Sequence, residues 1–270
     1  MAEGLTGVVV LAAGRGTRMR NAAPDTMLED AQRIAAERGL KGLIPFEGEP
    51  FLAHVLTAVA DAGFSRVCMV TAPGVDPIRE YFSRTRTERL RIEFAIQNEP
   101  LGTAHALLAA EPFSAGRDVA VINSDNLYPP PALAALRDLT GSGLIGFARD
   151  GLERGNIDSD RIGGYALIEM DDERALTRIT EKPDGAALSA AGAGSLVSMT
   201  CWRFGPAIFD AIRQTPLSAR GEYELPDAVR VAMRHERFTV VPMDVPVLDL
   251  SRREDIARVG ELLRGRRVAL

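Results

Sequence analysis

The 270-residue chain is long enough for one large α/β domain or two small ones. Its 46% hydrophobic and 26% charged residues are typical of a globular protein, and its net charge of −5 disfavours a nucleic-acid partner, because nucleic-acid-binding domains are usually basic. No apolar run approaches the roughly 20 residues of a membrane span, and the N-terminal residues lack a signal-peptide pattern, so we expect a cytoplasmic protein without a membrane partner.

The cysteines and histidines argue against a disulfide or a zinc site. Cys68 and Cys201 each lie in a strand-like run, RVCMV and MTCWRF, which predicts buried free thiols in a reducing compartment. The three histidines are scattered and form no cluster with zinc-ligand spacing.

The first half of the chain alternates between strand-like and helix-like segments. In chain order we predict strand, helix, strand, helix, strand, helix and strand at VVVLAAG, PFLAHVLTAVADAG, SRVCMVTA, DPIREYFSR, RIEFAIQ, TAHALLAAEPF and DVAVINSD. This alternation predicts a mostly parallel sheet flanked by helices, and the ligands of such sheets gather at the carboxyl ends of the strands.

The second half is richer in strands. A helix at ALAALRDL and a last helix at REDIARVGELLR enclose the strand-like runs GLIGFARD, GGYALIEMD, ALTRITEKP, SLVSMTCWRF and RFTVVPMDVPVLDL. Their weaker alternation predicts a mixed or antiparallel section, with a loop or weak helix at residues 186–195. No linker or repeat separates the halves, so we predict one domain over residues 1–270, with its two parts meeting near residue 130.

The segment LAAGRGTRM directly follows the first predicted strand. Gly14 and Gly16 can take positive φ at little cost. The backbone N–H groups of such a turn attract anions, and Arg15 and Arg18 add positive charge. We interpret the segment as a phosphate cradle, with an ordinary strand-to-helix turn as the alternative. It is not a P-loop, because no Gly-Lys-Ser/Thr follows, nor a dinucleotide fingerprint, because Met19 occupies the third glycine position.

Residues 21–40 interrupt the path from this turn to the next motif. Residues Thr26–Glu29 fit a helical capping box, and Gly39 fits a helix stop. The segment is therefore predicted to hold a short helix at the mouth of the site. Its role as a lid, a partner surface or plain packing is left open.

The chain uses lysine very sparingly. Of its 32 basic residues only Lys41 and Lys182 are lysines, and the rest are arginines. A lysine that persists against such a bias is expected where a compact ammonium is needed and a planar guanidinium does not fit, although chance retention is the alternative.

Three polar or glycine-rich features fall at the ends of predicted parallel strands. They are the glycine turn, Gln97 after RIEFAI and Asp125 after VAVIN. Because these strand ends meet at one edge of the sheet, we expect a single ligand site there.

Eight segments occur in an order that resembles the sugar-1-phosphate nucleotidyltransferases, also called nucleotide-sugar pyrophosphorylases. They are LAAGRGTRM, LKGLIPFEGEPFLAHVL, QNEPLGTAHAL, VINSDNL, GGYAL, ITEKP, GEYELPDAV and VLDLSRREDI, and they cover most of the chain. The string PLGTAHA after a strand-end glutamine is similar to the loop that reads uracil or thymine in the uridylyl and thymidylyl branches.

The resemblance implies a GT-A/Rossmann-like fold, with a nucleotide-binding half and a smaller β-rich, sugar-binding part. It also implies a reaction in which UTP or dTTP and a sugar 1-phosphate give a nucleotide-sugar and pyrophosphate, with Mg²⁺ as cofactor. Whether the protein forms a homo-oligomer is left open.

The resemblance further implies roles for residues that match the family's motifs. Arg18 would hold the β- and γ-phosphates, Lys41 the α-phosphate and Lys182 the sugar phosphate. Asp125 and Asp249 would bind Mg²⁺, and Asp125 would belong with Arg18 and Lys41 to the catalytic residues. The nucleotide-binding residues would be Leu11, Ala12, Ala13, Gly14, Gly16, Thr17, Gln97, Gly102 and Thr103, and the sugar-phosphate-binding residues would be Gly164, Glu181, Lys182 and Ser198.

The chain departs from the family at two motifs, which keeps alternatives open. Ser124 stands where the family often has Gly, and residues 198–200 read SMT where Asn and a later Gly are usual, which leaves the sugar open. The alternatives are GTP or CTP as donor, a cyclitol or amino-sugar phosphate as acceptor, a non-catalytic nucleotide-sugar-binding module, and a glycosyltransferase of the same fold. His105 is interpreted as a packed helical histidine.

Overall fold

The computed structural model describes residues 5–20, 28–191 and 194–270, in which helices and strands alternate as the sequence predicts. The helices are α1 Thr17–Arg20, α2 Asp30–Glu37, α3 Phe51–Asp61, α4 Pro77–Arg84, α5 Thr103–Ala109, α6 Glu111–Ser114, α7 Pro130–Asp138, α8 Arg149–Arg154, α9 Gly185–Ala191, α10 Ala207–Gln214, α11 Leu225–Ala232 and α12 Asp255–Leu263. The strands are β1 Gly7–Leu11, β2 Pro45–Phe46, β3 Glu49–Pro50, β4 Arg66–Thr71, β5 Arg91–Ile96, β6 Val119–Asn123, β7 Asn126–Leu127, β8 Gly143–Ala148, β9 Ala166–Met170, β10 Leu176–Thr180, β11 Leu196–Phe204, β12 Thr239–Met243 and β13 Leu248–Asp249.

Nine of these strands form one sheet in the described part of the chain. Its order is β10-β9-β11-β6-β1-β4-β5, with β8 beside β11 and β12 beside β8. The strand β1 pairs in parallel with β4 and β6, and β4 pairs in parallel with β5. The strand β11 runs antiparallel to β6, β8 and β9. The predicted α/β fold, with parallel strands first and a mixed section after them, is confirmed.

Both faces of the central sheet are covered by apolar side chains. Every residue of β1 is buried. Val8 and Val10 pack into one hydrophobic cluster, while Val9 and Leu11 pack into a second. Since successive strand residues point to opposite faces, the two clusters lie on opposite sides of the sheet. With the faces filled, ligands can approach the parallel strands at their ends.

The helix predicted within residues 21–40 is α2. The capping box predicted at residues 26–29 is displaced: Glu29 is the N-cap and pairs with Gln32, because the helix begins at Asp30, while Thr26 and Met27 lie outside the described residues. Gly39 adopts φ +72° just beyond the helix end, so the predicted helix stop is confirmed.

Some predicted segments are divided or shortened. The strand predicted at GLIGFARD ends at Ala148, where α8 begins, and α10 and α11 follow β11 without having been predicted. The helix predicted at TAHALLAAEPF divides into α5 and α6, and the run RFTVVPMDVPVLDL divides into β12 and β13. Pro112 lies in the first turn of α6 and Pro246 lies between β12 and β13, and proline lacks the N–H that would continue the backbone hydrogen bonds.

Both cysteines are buried and free, as predicted. Burial raises the pKa of the Cys68 thiol to about 12 and also raises the pKa of Cys201, so both stay protonated. Among the described residues, no helix combines the length and the apolar composition that crossing a bilayer requires.

A bulge interrupts β11. Its register with β8 shifts between Ser198 and Trp202, and Thr200 within the bulge adopts φ +58°. A β-branched residue in the left-handed region is strained, whereas Gly, which the related motif carries here, adopts it freely. The buried Tyr128 hydroxyl lies within hydrogen-bond distance of two bulge carbonyl oxygens, those of Met199 (2.5 Å) and Thr200 (3.2 Å).

We expect Thr200→Gly to raise the free energy of unfolding by about 1 kcal/mol. Relief of a strained φ is worth about 1–3 kcal/mol, and the flexibility of Gly costs about 0.5–1 kcal/mol. Urea denaturation measures the change, with Thr177→Gly at an exposed position of β10 as the control that should lower stability. A loss of stability in both variants would mean that Thr200 carries no relievable strain.

Candidate functional site

Two cavities adjoin at the carboxyl edge of the parallel strands. The larger cavity has a volume of about 650 Å³ and the smaller about 360 Å³. Five residues line both and form what we call the shared wall: Gly16, Thr17, Lys41, Asn123 and Asp125.

The larger cavity brings together all the residues that the sequence predicts to bind nucleotide. They are Leu11, Ala12, Ala13, Gly14, Gly16, Thr17, Gln97, Gly102 and Thr103. The smaller cavity adds Arg18, Gly164 and Asp249 to the shared wall. The strands explain this grouping, because the segments after β1, β5 and β6 all emerge at one edge of the sheet.

The glycine turn after β1 packs directly on the segment that carries Lys41. Gly16 has φ +61°, in the left-handed region that the sequence allows for both glycines of the turn. Gly14 does not adopt this conformation. A Cβ at Gly16 would overlap the carbonyl oxygen of Gly39, and a Cβ at Gly39 would crowd the backbone of Arg15. Only glycine fits this contact, and it fixes the turn against the chain two residues before Lys41.

Lys41 and Asp125 meet across the shared wall. Lys41 begins a 3₁₀ turn, Lys41–Leu43, and its Nζ donates to Oδ2 of Asp125 at 3.0 Å. The two side chains are 21% and 26% exposed, so both are partly shielded from water and still reachable from the cavities. The ammonium therefore stands between the two cavities with a carboxylate beside it.

Asp249 is buried and lines the smaller cavity. It lies on β13, which pairs with β7 so that Asp249 stands opposite Asn126. Its Oδ1 accepts from Nδ2 of Asn126 at 3.0 Å. Its Oδ2 accepts from three donors, namely Arg161 (2.5 Å), Tyr165 (2.8 Å) and Ser251 (2.6 Å). Oδ2 is thus fully used, while Oδ1 keeps room for one more partner.

The carboxylates of Asp125 and Asp249 are close enough to repel each other. Burial raises the pKa of Asp249, the Asp125 carboxylate raises it further, and Ser251 and Arg161 oppose the rise. Two acids that share a cavity suit a hard divalent cation. No cluster of three or more His, Cys, Asp or Glu suited to a metal occurs in the described ranges, so such an ion would complete its shell with water or phosphate oxygens.

Arg161 is a site residue that sequence reasoning did not identify. Its guanidinium bridges Asp249 and Asp255, at 2.5 Å and 2.6 Å, and its side chain is only 8% exposed. Asp255 at the start of α12 also accepts from the N–H groups of Ser251 and Arg252. The bridge ties the segment before β9 to the segment after β13. No sequence signal distinguishes this arginine from the many others.

Gln97 is held by the loop that follows it. Its Nε2 lies 3.0 Å from the carbonyl oxygen of Gly102 and 3.3 Å from Nδ1 of His105. Gly102 has φ +101°, and a Cβ there would overlap the backbone of Tyr223. The Oγ1 of Thr103 accepts the N–H of Leu225 at 3.0 Å. The loop is therefore fixed on both sides, and His105, interpreted from the sequence as a packed histidine, also contacts Gln97.

The other residues predicted to hold a sugar phosphate lie outside the smaller cavity. Glu181 lines a separate cavity with Arg230, and burial, with Glu224 next, raises its pKa. Lys182 has a left-handed backbone at φ +44°, and Ser198 is buried in β11. The roles assigned to these three residues stay predictions.

The sequence of this chain matches one family model and several proteins of known function. A family model described as Nucleotidyl transferase matches residues 7–245. UTP--glucose-1-phosphate uridylyltransferase AglF of Haloferax volcanii is 28% identical over 92% of this chain and 92% of its own length. Bifunctional protein GlmU of Pseudomonas paraeruginosa is 30% identical over 84% of this chain and 44% of its own. The chain spans about half the length of several such relatives.

Solved structures share the fold. A UDP-glucose pyrophosphorylase in complex with UDP-glucose has a TM-score of 0.75 at 18% identity, covering 97% of this chain and 100% of the other. A putative glucose-1-phosphate thymidylyltransferase from Bacillus anthracis has a TM-score of 0.73 at 17% identity, covering 98% and 97%.

We expect Arg161→Met to lower the free energy of unfolding by about 3–5 kcal/mol, because it leaves two buried carboxylates without their shared cation. The exposed Arg154, which pairs with Asp244, offers the control Arg154→Met, with a loss below about 1 kcal/mol. Urea denaturation compares the two. Equal losses would show that the bridge adds nothing beyond a surface ion pair.

Proposed function

Because the chain belongs to the nucleotidyl transferase family, we propose that it transfers the nucleotidyl group of UTP or dTTP to a sugar 1-phosphate and releases pyrophosphate. The observation that carries this proposal is the shared wall, where Lys41 and Asp125 meet between two cavities. A triphosphate in the larger cavity and a phosphate acceptor in the smaller one would meet at this wall.

The reaction is a displacement at the α-phosphorus. An oxygen of the sugar phosphate forms a bond to that phosphorus, and the bond to the bridging oxygen of the leaving pyrophosphate breaks. Such a step asks the protein for positioning and charge neutralisation rather than covalent chemistry. Lys41 is assigned to the α-phosphate oxygens, on which negative charge gathers. The backbone N–H groups of the glycine turn, which lines the larger cavity, are assigned to the β- and γ-phosphates. Arg18 is assigned to the same phosphates from the family's motif; because it lines the smaller cavity, the triphosphate would have to extend past the shared wall to reach it.

Asp125 and Asp249 are assigned to the binding of Mg²⁺. Their mutual repulsion and the free lone pair on Oδ1 of Asp249 favour a divalent cation between them. When bound, the ion would neutralise phosphate charge and help to align the triphosphate. The four hydrogen bonds to Asp249 keep its carboxylate fixed in direction.

Gln97 is assigned to recognition of the nucleotide base. The carbonyl oxygen of Gly102 can only accept, so the amide group beside it is the NH₂ of Gln97, and Oε1 remains for the ligand. An acceptor at this position suits the imide N–H of uracil or thymine. The names of AglF, a uridylyltransferase, and of the structurally similar thymidylyltransferase agree with these two bases.

On the acceptor side, Gly164 and Tyr165 line the smaller cavity, and Arg161 holds their segment against Asp249. Glu181, Lys182 and Ser198 are assigned to the sugar and its phosphate from the family's motifs. The names of the relatives make glucose 1-phosphate the first acceptor to test.

We expect pyrophosphate release when the purified protein is given Mg²⁺, UTP or dTTP, and a hexose 1-phosphate. A matrix of five nucleoside triphosphates against a panel of sugar and cyclitol phosphates measures this, and EDTA should abolish it. No pyrophosphate from any pair would contradict the proposal and favour a binding module. Sugar transfer from a ready-made nucleotide-sugar would favour a glycosyltransferase.

We expect Lys41→Ala to lower kcat by about 10²-fold, the scale of one lost transition-state contact. Lys41→Arg should also lose activity, because a planar guanidinium does not replace a compact ammonium in a partly buried position. The exposed Arg84 of α4 provides the control Arg84→Ala, which should leave kcat unchanged. A wild-type kcat in Lys41→Ala would remove Lys41 from the catalytic residues.

A further inference from the structure

The side-chain amide of Gln97 has two hydrogen-bond partners among the described residues, and both lie within reach of its Nε2. They are the carbonyl oxygen of Gly102 at 3.0 Å and Nδ1 of His105 at 3.3 Å. An amide NH₂ has two hydrogens, so it can serve both acceptors at once. The carbonyl fixes which end of the amide is the nitrogen, and His105 takes the second hydrogen. Among the described residues, no group donates to Oε1 of Gln97, and Gln97 is one of the residues that line the larger cavity.

This arrangement also fixes the tautomer of His105. Because Nδ1 accepts from Gln97, the ring proton of the neutral imidazole is on Nε2. The ring stacks on Tyr223 with centroids 6.4 Å apart and an interplanar angle of 28°. Tyr223 is itself held by the loop, since its N–H donates to Leu101 at 2.7 Å and its carbonyl accepts from Ala104 at 2.9 Å. The imidazole is therefore held with its acceptor nitrogen towards Gln97.

We propose that His105 is a specificity-positioning residue, which holds the Gln97 amide so that its oxygen faces the base. The proposal rests on the proposed function. Uracil and thymine carry a hydrogen on N3 and can donate to Oε1. Cytosine has a lone pair on N3 and would meet the same oxygen as a repulsive contact. A flipped amide could serve cytosine, but it would direct its oxygen at the carbonyl oxygen of Gly102 and would require His105 to move its ring proton from Nε2 to Nδ1. His105 thus supplies part of the discrimination against CTP without touching the nucleotide.

The test compares kcat/KM for UTP and for CTP in a series of variants. His105→Phe keeps an aromatic ring against Tyr223 and removes the acceptor. We expect it to reduce the UTP/CTP preference by about tenfold, which corresponds to one hydrogen bond of about 1.4 kcal/mol. His105→Gln, whose side-chain oxygen can accept from Gln97, should restore most of the preference. If His105→Phe does not fold, His105→Ala takes its place, since it lacks the acceptor too.

A double-mutant cycle separates positioning from packing. In Gln97→Ala the ratio of kcat/KM for UTP to that for CTP should be small. Adding His105→Phe to this variant should not change the ratio further, because His105 acts through Gln97. An additional change of similar size in the double variant would overturn the proposal, as would an unchanged preference in His105→Phe. A wild-type protein that is inactive with every triphosphate would instead overturn the proposed function, and a wild-type preference for CTP would overturn the orientation assigned to Gln97.

Discussion

The contact between Lys41 and Asp125 joins two parts of the chain that are 84 residues apart, and the two cavities of the site meet at it. Asp125 is placed by the end of β6 in the centre of the sheet. Lys41 is placed by Gly39, whose backbone packs on Gly16 of the glycine turn so closely that neither residue could carry a side chain. The turn, the lysine and the aspartate are thereby assembled by backbone packing. Lys41, Asp125 and Asp249, whose side chains are already held by hydrogen bonds, then have less freedom to lose on binding.

The sequence predicts the parallel half of the fold well, because strands buried on both faces leave an uninterrupted apolar run such as that around Val8–Leu11. It predicts the short helices poorly. The helix α8 has six residues, too few for a helical period to emerge, and it follows β8 without a break. The bulge at Thr200 could not be predicted either, since a threonine there gives no sign of the left-handed backbone that it adopts.

As with the fold, only part of the candidate site could be predicted from the sequence. Residues at strand ends, such as Gln97 and Asp125, could be predicted to converge, because the topology alone brings them to one edge. Arg161 could not, since its partners Asp249 and Asp255 lie 88 and 94 residues further along the chain and only the folded structure brings them together. His105 was interpreted as a packing residue, and its contact with Gln97 depends on a loop geometry that sequence spacing does not determine. The placement of Gly164 beside Asp249, with Glu181 in a different cavity, likewise follows from the packing of β9 and β10.

The most direct test of the account is a crystal structure of the protein with Mg²⁺, a non-hydrolysable UTP analogue and a sugar 1-phosphate. The account predicts the triphosphate in the larger cavity and the sugar phosphate in the smaller one. It also predicts that Nζ of Lys41 lies within about 3 Å of an α-phosphate oxygen, the distance of a hydrogen bond. A triphosphate bound away from the shared wall, with Lys41 still paired only with Asp125, would contradict it.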